Sequence, residues 1–333
     1  MKNRNISIDF LRATAIVLMT ITHVNALLYT GNNLILDIFT TAGATLCFSI
    51  FLFCSAYIIG VKIQNNESIN LKNILKRALE IYLVYLILGV FITFVLTRSI
   101  NIYNVIDIAL LKNIPEFTEF LIAFIFFSFL PLLFYKQIKH LISKPLLCVL
   151  VTSLIFIIGL IVYGYISNKS FPDIVKIPLE NIFGYKSLHR FPLTFYLPIY
   201  TFGILLSKYN SKKILILITV IAILLLVILR ILNLSSWYRW PPSTLFLLYG
   251  FIYIPSILLM CRLIKKWLSK RFFKIFANMG RFPLEQFFLS TFLVFLSRYI
   301  FLPSSNELLS ILINILILAL LLLHPIVFHR KMV

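Results

Sequence analysis

Charge is scarce in this sequence. Only 13% of its 333 residues are Asp, Glu, Lys or Arg, while 61% are hydrophobic and the mean hydropathy is +0.99. A water-soluble domain of this length needs more polar surface than that, so the chain is read as integral to a membrane. Acid is the scarcer sign: 11 Asp and Glu face 31 Lys and Arg, a net charge of +20. The basic residues are scattered between apolar runs rather than gathered on one soluble face. That excludes a nucleic-acid partner and leaves membrane orientation as their explanation. Of the four cysteines, none forms a CxxC pair. Cys47 and Cys54 fall on one predicted helix at a spacing too wide for a bridge, so all four are read as small apolar packing residues. No HExxH, CxxC or carboxylate cluster is present, so no metal is expected. There is no GxSxG elbow and no Walker loop either.

What is abundant is apolar segments of membrane length. They recur at about 8–29, 38–61, 78–96, 119–135, 146–166, 193–207, 214–232, 243–263, 284–301 and 308–328, most near the roughly 20 residues a hydrocarbon core requires. An alternating barrel pattern is absent, so the segments are read as helices. A cytoplasmic N-terminus places most Lys and Arg at alternate links, among them 62–77, 136–144, 208–213 and 262–281, as the positive-inside rule demands. Lys2 and Arg4 before an apolar run resemble a signal peptide, but Asp9 and Arg12 interrupt that run, so a retained first helix is expected. The expectation is an all-α integral membrane protein of the cell membrane. It forms a bundle of about ten transmembrane helices with both termini cytoplasmic, and residues 1–333 make a single polytopic domain.

The first segment, FLRATAIVLMTITHVNA, carries Arg12 near one end and His23 near the other. Eleven residues at about 100° each return to nearly the same helix face, some 16 Å farther along the axis. One stripe thus presents a permanent cation and, deeper, an imidazole. Arg inside a span costs about 2.5–3.5 kcal/mol on insertion scales and normally faces protein or a water-filled cavity. Two readings stay open from this helix alone. In one, the pair lines a site. In the other, Arg12 pairs with Asp9 and snorkels while His23 bonds a neighbouring helix.

IDFLRATAIVLMTITHV resembles the opening of the membrane-bound acyltransferase-3 family, whose first helix carries Arg, ten intervening residues and His, at Arg12 and His23 here. Further pieces follow in order. FSIFLFCSAYIIG keeps Ser55 and Tyr57, with Ala56 in place of Gly. NILKRALEIYLVYL keeps Arg77, with Glu80 in place of a second Arg. RFPLTFYLPIYTFGILLSKY and RWPPSTLFLLYGF are similar to later segments. In MGRFPLEQFFLS, Pro283 replaces Ser, and Ser290 stands where many members have a second His. The likeness runs through nearly the whole chain. It implies an acyltransferase that takes an acyl group, most often acetyl, from cytoplasmic acyl-CoA to a hydroxyl of a cell-surface or lipid-linked carbohydrate. His23 would be its base or acyl carrier. Arg12, with Arg77 and Lys76 at the mouth of the third helix, would hold the donor's phosphates.

The remaining polar residues carry weaker signals. Glu119 and Glu285 sit at or inside predicted spans and are expected to face protein; Glu285 follows Arg281 by one turn. Glu80 is placed to pair with Lys76. Arg190 in HRFP and Arg239 in YRWPP flank outer links and, with Glu119, are candidates for acceptor binding or for loop folding. His140, His189 and His324 are not expected to be catalytic. The partners implied are acyl-CoA, a carbohydrate and membrane lipids, with no nucleic acid; the oligomeric state is open. The alternative from another class is a transporter or flippase of lipid-linked sugars with Arg12, His23 and Glu119 along its path. The sequence shows neither paired repeats nor clearly broken helices in its favour.

Overall fold

In the computed structural model, which describes residues 5–185, 190–234, 242–267 and 270–329, the described residues form fourteen helices and no strand. They are α1 (Ile6–Leu28), α2 (Leu34–Gln64), α3 (Leu71–Thr97), α4 (Ile102–Ala109), α5 (Glu119–Leu133), α6 (Tyr135–Ser143) and α7 (Pro145–Ile166). There follow α8 (Asp173–Phe183), α9 (Leu193–Lys208), α10 (Lys212–Ile231), α11 (Thr244–Trp267), α12 (Lys270–Met279), α13 (Pro283–Ile300) and α14 (Glu307–Phe328). Nine of the ten apolar segments each fall essentially on one helix, while 119–135 fills α5 and reaches the first residue of α6. Seven helices, α1, α2, α3, α7, α10, α11 and α14, are long and apolar enough to cross a membrane, or eight if α5 and α6, bent by 81°, form one broken span. α10 shows why water is not the solvent: Leu217, Val220, Ile221 and Leu224 are all exposed on its surface.

Four helices were not expected from the sequence: α4, α6, α8 and α12. They span 8 to 11 residues, too short for a bilayer, and lie in what reads as polar links. α12 is amphipathic, with Phe273 and Ala277 buried and Lys274 exposed. The four cysteines are free and buried.

The chain divides into two compact units. The first comprises residues 1–51, 94–99 and 252–333, with α1 at its centre against α12, α13 and α14. Asn5 caps α1 by accepting from the Ser7 amide at 3.1 Å, and Leu11, Ala13, Ala15, Ile16 and Val24 are wholly buried. Phe10 stacks on Phe273 at 5.0 Å and touches Phe276 at 4.8 Å, which seats α12 on α1. The seat is very close at Gly280, where a Cβ would lie 1.8 Å from the Asp9 carbonyl oxygen. At the far end of α1, Tyr29 and Ser304 make an isolated parallel bridge: the Thr30 amide donates to Ser304 O at 3.1 Å and the Ser304 amide to Leu28 O at 2.9 Å.

The second unit comprises residues 52–93 and 100–251. Its core is aromatic: Phe53, Tyr85, Phe195, Tyr196, Tyr200 and Phe246 are almost fully buried. Phe53 meets Phe202 at 5.2 Å, and Phe127 stacks on Tyr200 at 5.1 Å. These contacts join α2, α5 and α9.

Gly280→Ala should push α12 off α1, costing about 1–3 kcal/mol or more as overpacking does, and lower the melting temperature in detergent by several degrees. Gly164→Ala, whose added Cβ meets nothing within 4 Å, should leave it unchanged or slightly raised, since Ala is the better helix former.

Candidate active site on the first helix

The polar residues of α1 lie on its buried side. Arg12 is anchored by Asp9, Nη1 to Oδ1 at 3.9 Å, with side chains 12% and 9% exposed. The pairing that a simple anchor would make is therefore present, but within protein rather than at a lipid surface. Two turns farther, Thr20 is fully buried and its hydroxyl meets that of Ser290 on α13 at 2.7 Å. One turn beyond comes His23, 8% exposed. Two residues farther, about 200° around the helix from His23, is Asn25, also buried. Its Oδ1 accepts from Ser310 Oγ at 3.0 Å and Asn314 Nδ2 at 3.2 Å, while its Nδ2 donates to Thr40 Oγ1 at 3.0 Å. His23 thus lies between two polar clusters that tie α1 to α2, α13 and α14. Asn, Ser and Thr in apolar helices are costly unless bonded across to a neighbour, and here they hold the imidazole's helix in register. Ser290, through its contact with Thr20, faces α1 one turn from His23.

At the N-terminal end of this stripe a cavity of about 380 Å³ opens among α1, α11, α12 and the α12–α13 turn. Ile6, Phe273 and Ala277 form its apolar wall; Asp9, Lys265, Lys274, Asn278 and Arg281 supply its polar groups. Three cations face one carboxylate, and that carboxylate already meets Arg12. Asn278 is 8% exposed, and its Nδ2 is buried with no hydrogen-bond partner. The lining includes Asp9, the neighbour of Arg12, but neither Arg12 nor His23. The basic residues of the α11–α13 link are explained in the sequence by orientation alone. Only Gly280, which lets α12 fold back against α1, hints that they surround a hollow.

The other candidates are distributed as follows. Arg77 is exposed and pairs with Glu80 at 3.1 Å; the expected partner of Glu80, Lys76, is exposed on the same helix. Arg77 wins because Glu80 Oε2 lies within hydrogen-bond reach of its Nη1 at i,i+3. In the second unit Arg190 is buried. Its Nη2 bonds Glu180 Oε2 at 2.9 Å and Leu111 O at 3.2 Å, and Lys176 approaches the other Glu180 oxygen at 3.7 Å. Burial lowers the Arg190 pKa, and the Glu180 charge draws it back up. Glu119, the first residue of α5, is buried at 8% exposure. Arg239 and His189 lie outside the described residues.

Because Glu180 is 1% exposed, removing its buried partner leaves the carboxylate only the longer, half-exposed contact to Lys176. Arg190→Met should cost about 3–5 kcal/mol, seen as a lower melting temperature. Adding Glu180→Leu should recover most of it, whereas a guanidinium kept for ligand binding would show no such recovery.

A family model described as an acyltransferase domain matches residues 5–330. No curated protein and no solved structure matches the chain. The match spans every helix described above, including α1 with Arg12 and His23 and α13 with Ser290. The chain belongs to the acyltransferase-3 family, and it is an acyltransferase.

Proposed function

We propose that this enzyme moves an acyl group, acetyl in the simplest case, from cytoplasmic acyl-CoA to a hydroxyl of a cell-surface or lipid-linked carbohydrate. The observation that carries this reading is the buried face of α1, with an imidazole at one end and the Asp9–Arg12 pair beside a basic cavity at the other. In the topology that goes with it, α1, α2, α3, α5, α7, α9, α10, α11, α13 and α14 each cross the membrane and both termini are cytoplasmic. The cavity then opens toward the cytoplasm, where the donor is.

The donor carries several phosphate groups at one end of a long arm and the thioester at the other. Lys265, Lys274 and Arg281 offer the charge-assisted bonds that phosphate oxygens prefer, and the buried Asn278 amide is a donor awaiting an acceptor. Arg12, next to the cavity wall, adds its charge; Lys76 and Arg77 extend basic character on the cytoplasmic side of α3. Arg12 and His23 are about 16 Å apart along the axis, so one thioester cannot touch both. An extended pantetheine arm bridges a gap of that order, which assigns Arg12 to the phosphate end and His23 to the thioester end.

At His23 the acceptor oxygen attacks the thioester carbonyl carbon. The C–O ester bond forms as the C–S bond breaks, the hydroxyl proton passes to the imidazole, and it ends on the departing thiolate. Acceptor recognition falls to outer links such as that of Arg239, with Glu119 at the start of α5. Arg190, matched by Glu180, serves that unit's structure better than a ligand. Family membership favours acyl transfer over the transporter reading.

His23→Ala should abolish transfer of labelled acetyl from acetyl-CoA in membranes while expression and melting temperature hold; full activity would remove His23 from the mechanism. Lys265→Ala with Lys274→Ala should raise the donor KM about tenfold, as loss of charge-assisted bonds predicts, yet leave the KM for acetyl-pantetheine, which lacks the nucleotide phosphates, unchanged. Equal effects on both donors would dissociate the cavity from phosphate binding.

A further inference from the structure

Away from the His23 end of α1, two imidazoles and a carboxylate converge in the first unit. Glu285 stands in the first turn of α13, His324 near the end of α14 and His329 at its C-cap. His329 Nε2 lies 2.7 Å from Glu285 Oε2, and His324 Nε2 lies 3.8 Å from the same oxygen. One ligand atom from each residue can be chosen so that all three lie within 4.8 Å of one another. We propose that Glu285, His324 and His329 bind one divalent transition ion of the Zn2+ class, tying the end of α14 to the start of α13.

An ion bonded at about 2.0–2.2 Å in tetrahedral geometry keeps its ligand atoms roughly 3.3 Å apart. The two carboxylate–imidazole spacings, 2.7 and 3.8 Å, bracket that value, and all three ligand atoms lie within 4.8 Å of one another, so modest side-chain shifts complete the set. A bare His–Glu ion pair accounts for the 2.7 Å contact. The second imidazole approaches the same oxygen at 3.8 Å, beyond hydrogen-bond reach, and an ion between the three residues would use that position.

The groups around the ligands fit as well. A metal-bound imidazole needs an acceptor on its other nitrogen. His324 Nδ1 lies 3.2 Å from the side-chain amide of Gln286, which is fully buried. No hydrogen bond holds the Gln286 Oε1 in its present orientation, and the two ends of an amide have nearly the same shape. Turned over, Gln286 accepts the Nδ1 proton and frees the Nε2 lone pair for the ion. The His329 ring is held in plane by Phe282, with centroids 3.7 Å apart and an 11° tilt.

Two imidazoles and one carboxylate suit a borderline-soft ion, whereas Ca2+ and Mg2+ require more oxygen ligands. Three protein ligands leave a fourth position for water. The ion would also steady Phe282 and, through it, the adjoining Arg281 on the wall of the basic cavity.

The test uses the full chain in detergent with any affinity tag removed, titrated with Zn2+ against a chromophoric chelator and with Co2+ by visible absorption. One site per chain is expected, with an intense tetrahedral Co2+ band and a melting temperature raised by Zn2+. Glu285→Gln and His329→Ala should each weaken binding at least tenfold and lose the thermal shift, and Gln286→Ala should weaken it about tenfold as loss of a ligand-orienting group does. His140→Ala, which removes an exposed imidazole on α6, should change nothing. If His329→Ala fails to fold, the near-isosteric Glu285→Gln decides. Absence of a saturable site, or wild-type affinity in Glu285→Gln, would overturn the proposal.

Discussion

An ionised side chain inside an apolar helix survives only where another charge and protein walls replace the water it has lost. On α1 those replacements are Asp9, at 3.9 Å from Arg12, and the helices packed around it. The requirement fixes much else in the first unit. The charged face of α1 cannot turn toward lipid, so α1 becomes the centre against which α12, α13 and α14 pack. α12 can approach closely only because position 280 lacks a Cβ. Folding back in this way, it carries Lys274 and Asn278 to the same hollow as Asp9.

The same helix is fixed by polar contacts along its length. Thr20, between the Asp9–Arg12 pair and the imidazole, is matched by Ser290, and Asn25, beyond the imidazole, by Ser310, Asn314 and Thr40. Such bonds spare the helix the cost of bare polar groups in an apolar surround. They also keep it from rotating, which would carry His23 and Arg12 out of line together. Family membership gives the class of reaction; the arrangement on α1 holds the Asp9–Arg12 pair and the buried His23 at separate levels of one helix.

The helices of membrane length were legible in the sequence because length and hydropathy are local properties, and an apolar run of such length has few alternatives. The short helices were not. α12 shows the difficulty: KRFFKIFANM has too little apolar length to span and too many cations to look buried, and only its docking on Phe10 gives its apolar face a purpose. Arg190 was legible as an isolated arginine in an outer link. Its role as the partner of Glu180 depends on α8, itself one of the short helices.

By itself, then, the sequence determined the membrane environment, the helical class and the Arg12–His23 stripe. These follow from transfer energy per residue and from 3.6 residues per turn, both read along one stretch of chain. Only the tertiary structure decided which side of that stripe is walled by protein, which cations share a cavity, and that Glu285 meets His324 and His329 across two helices. Those are contacts between residues tens to hundreds of positions apart. They are set by how side-chain volumes and one missing Cβ let the helices approach, which no local pattern records.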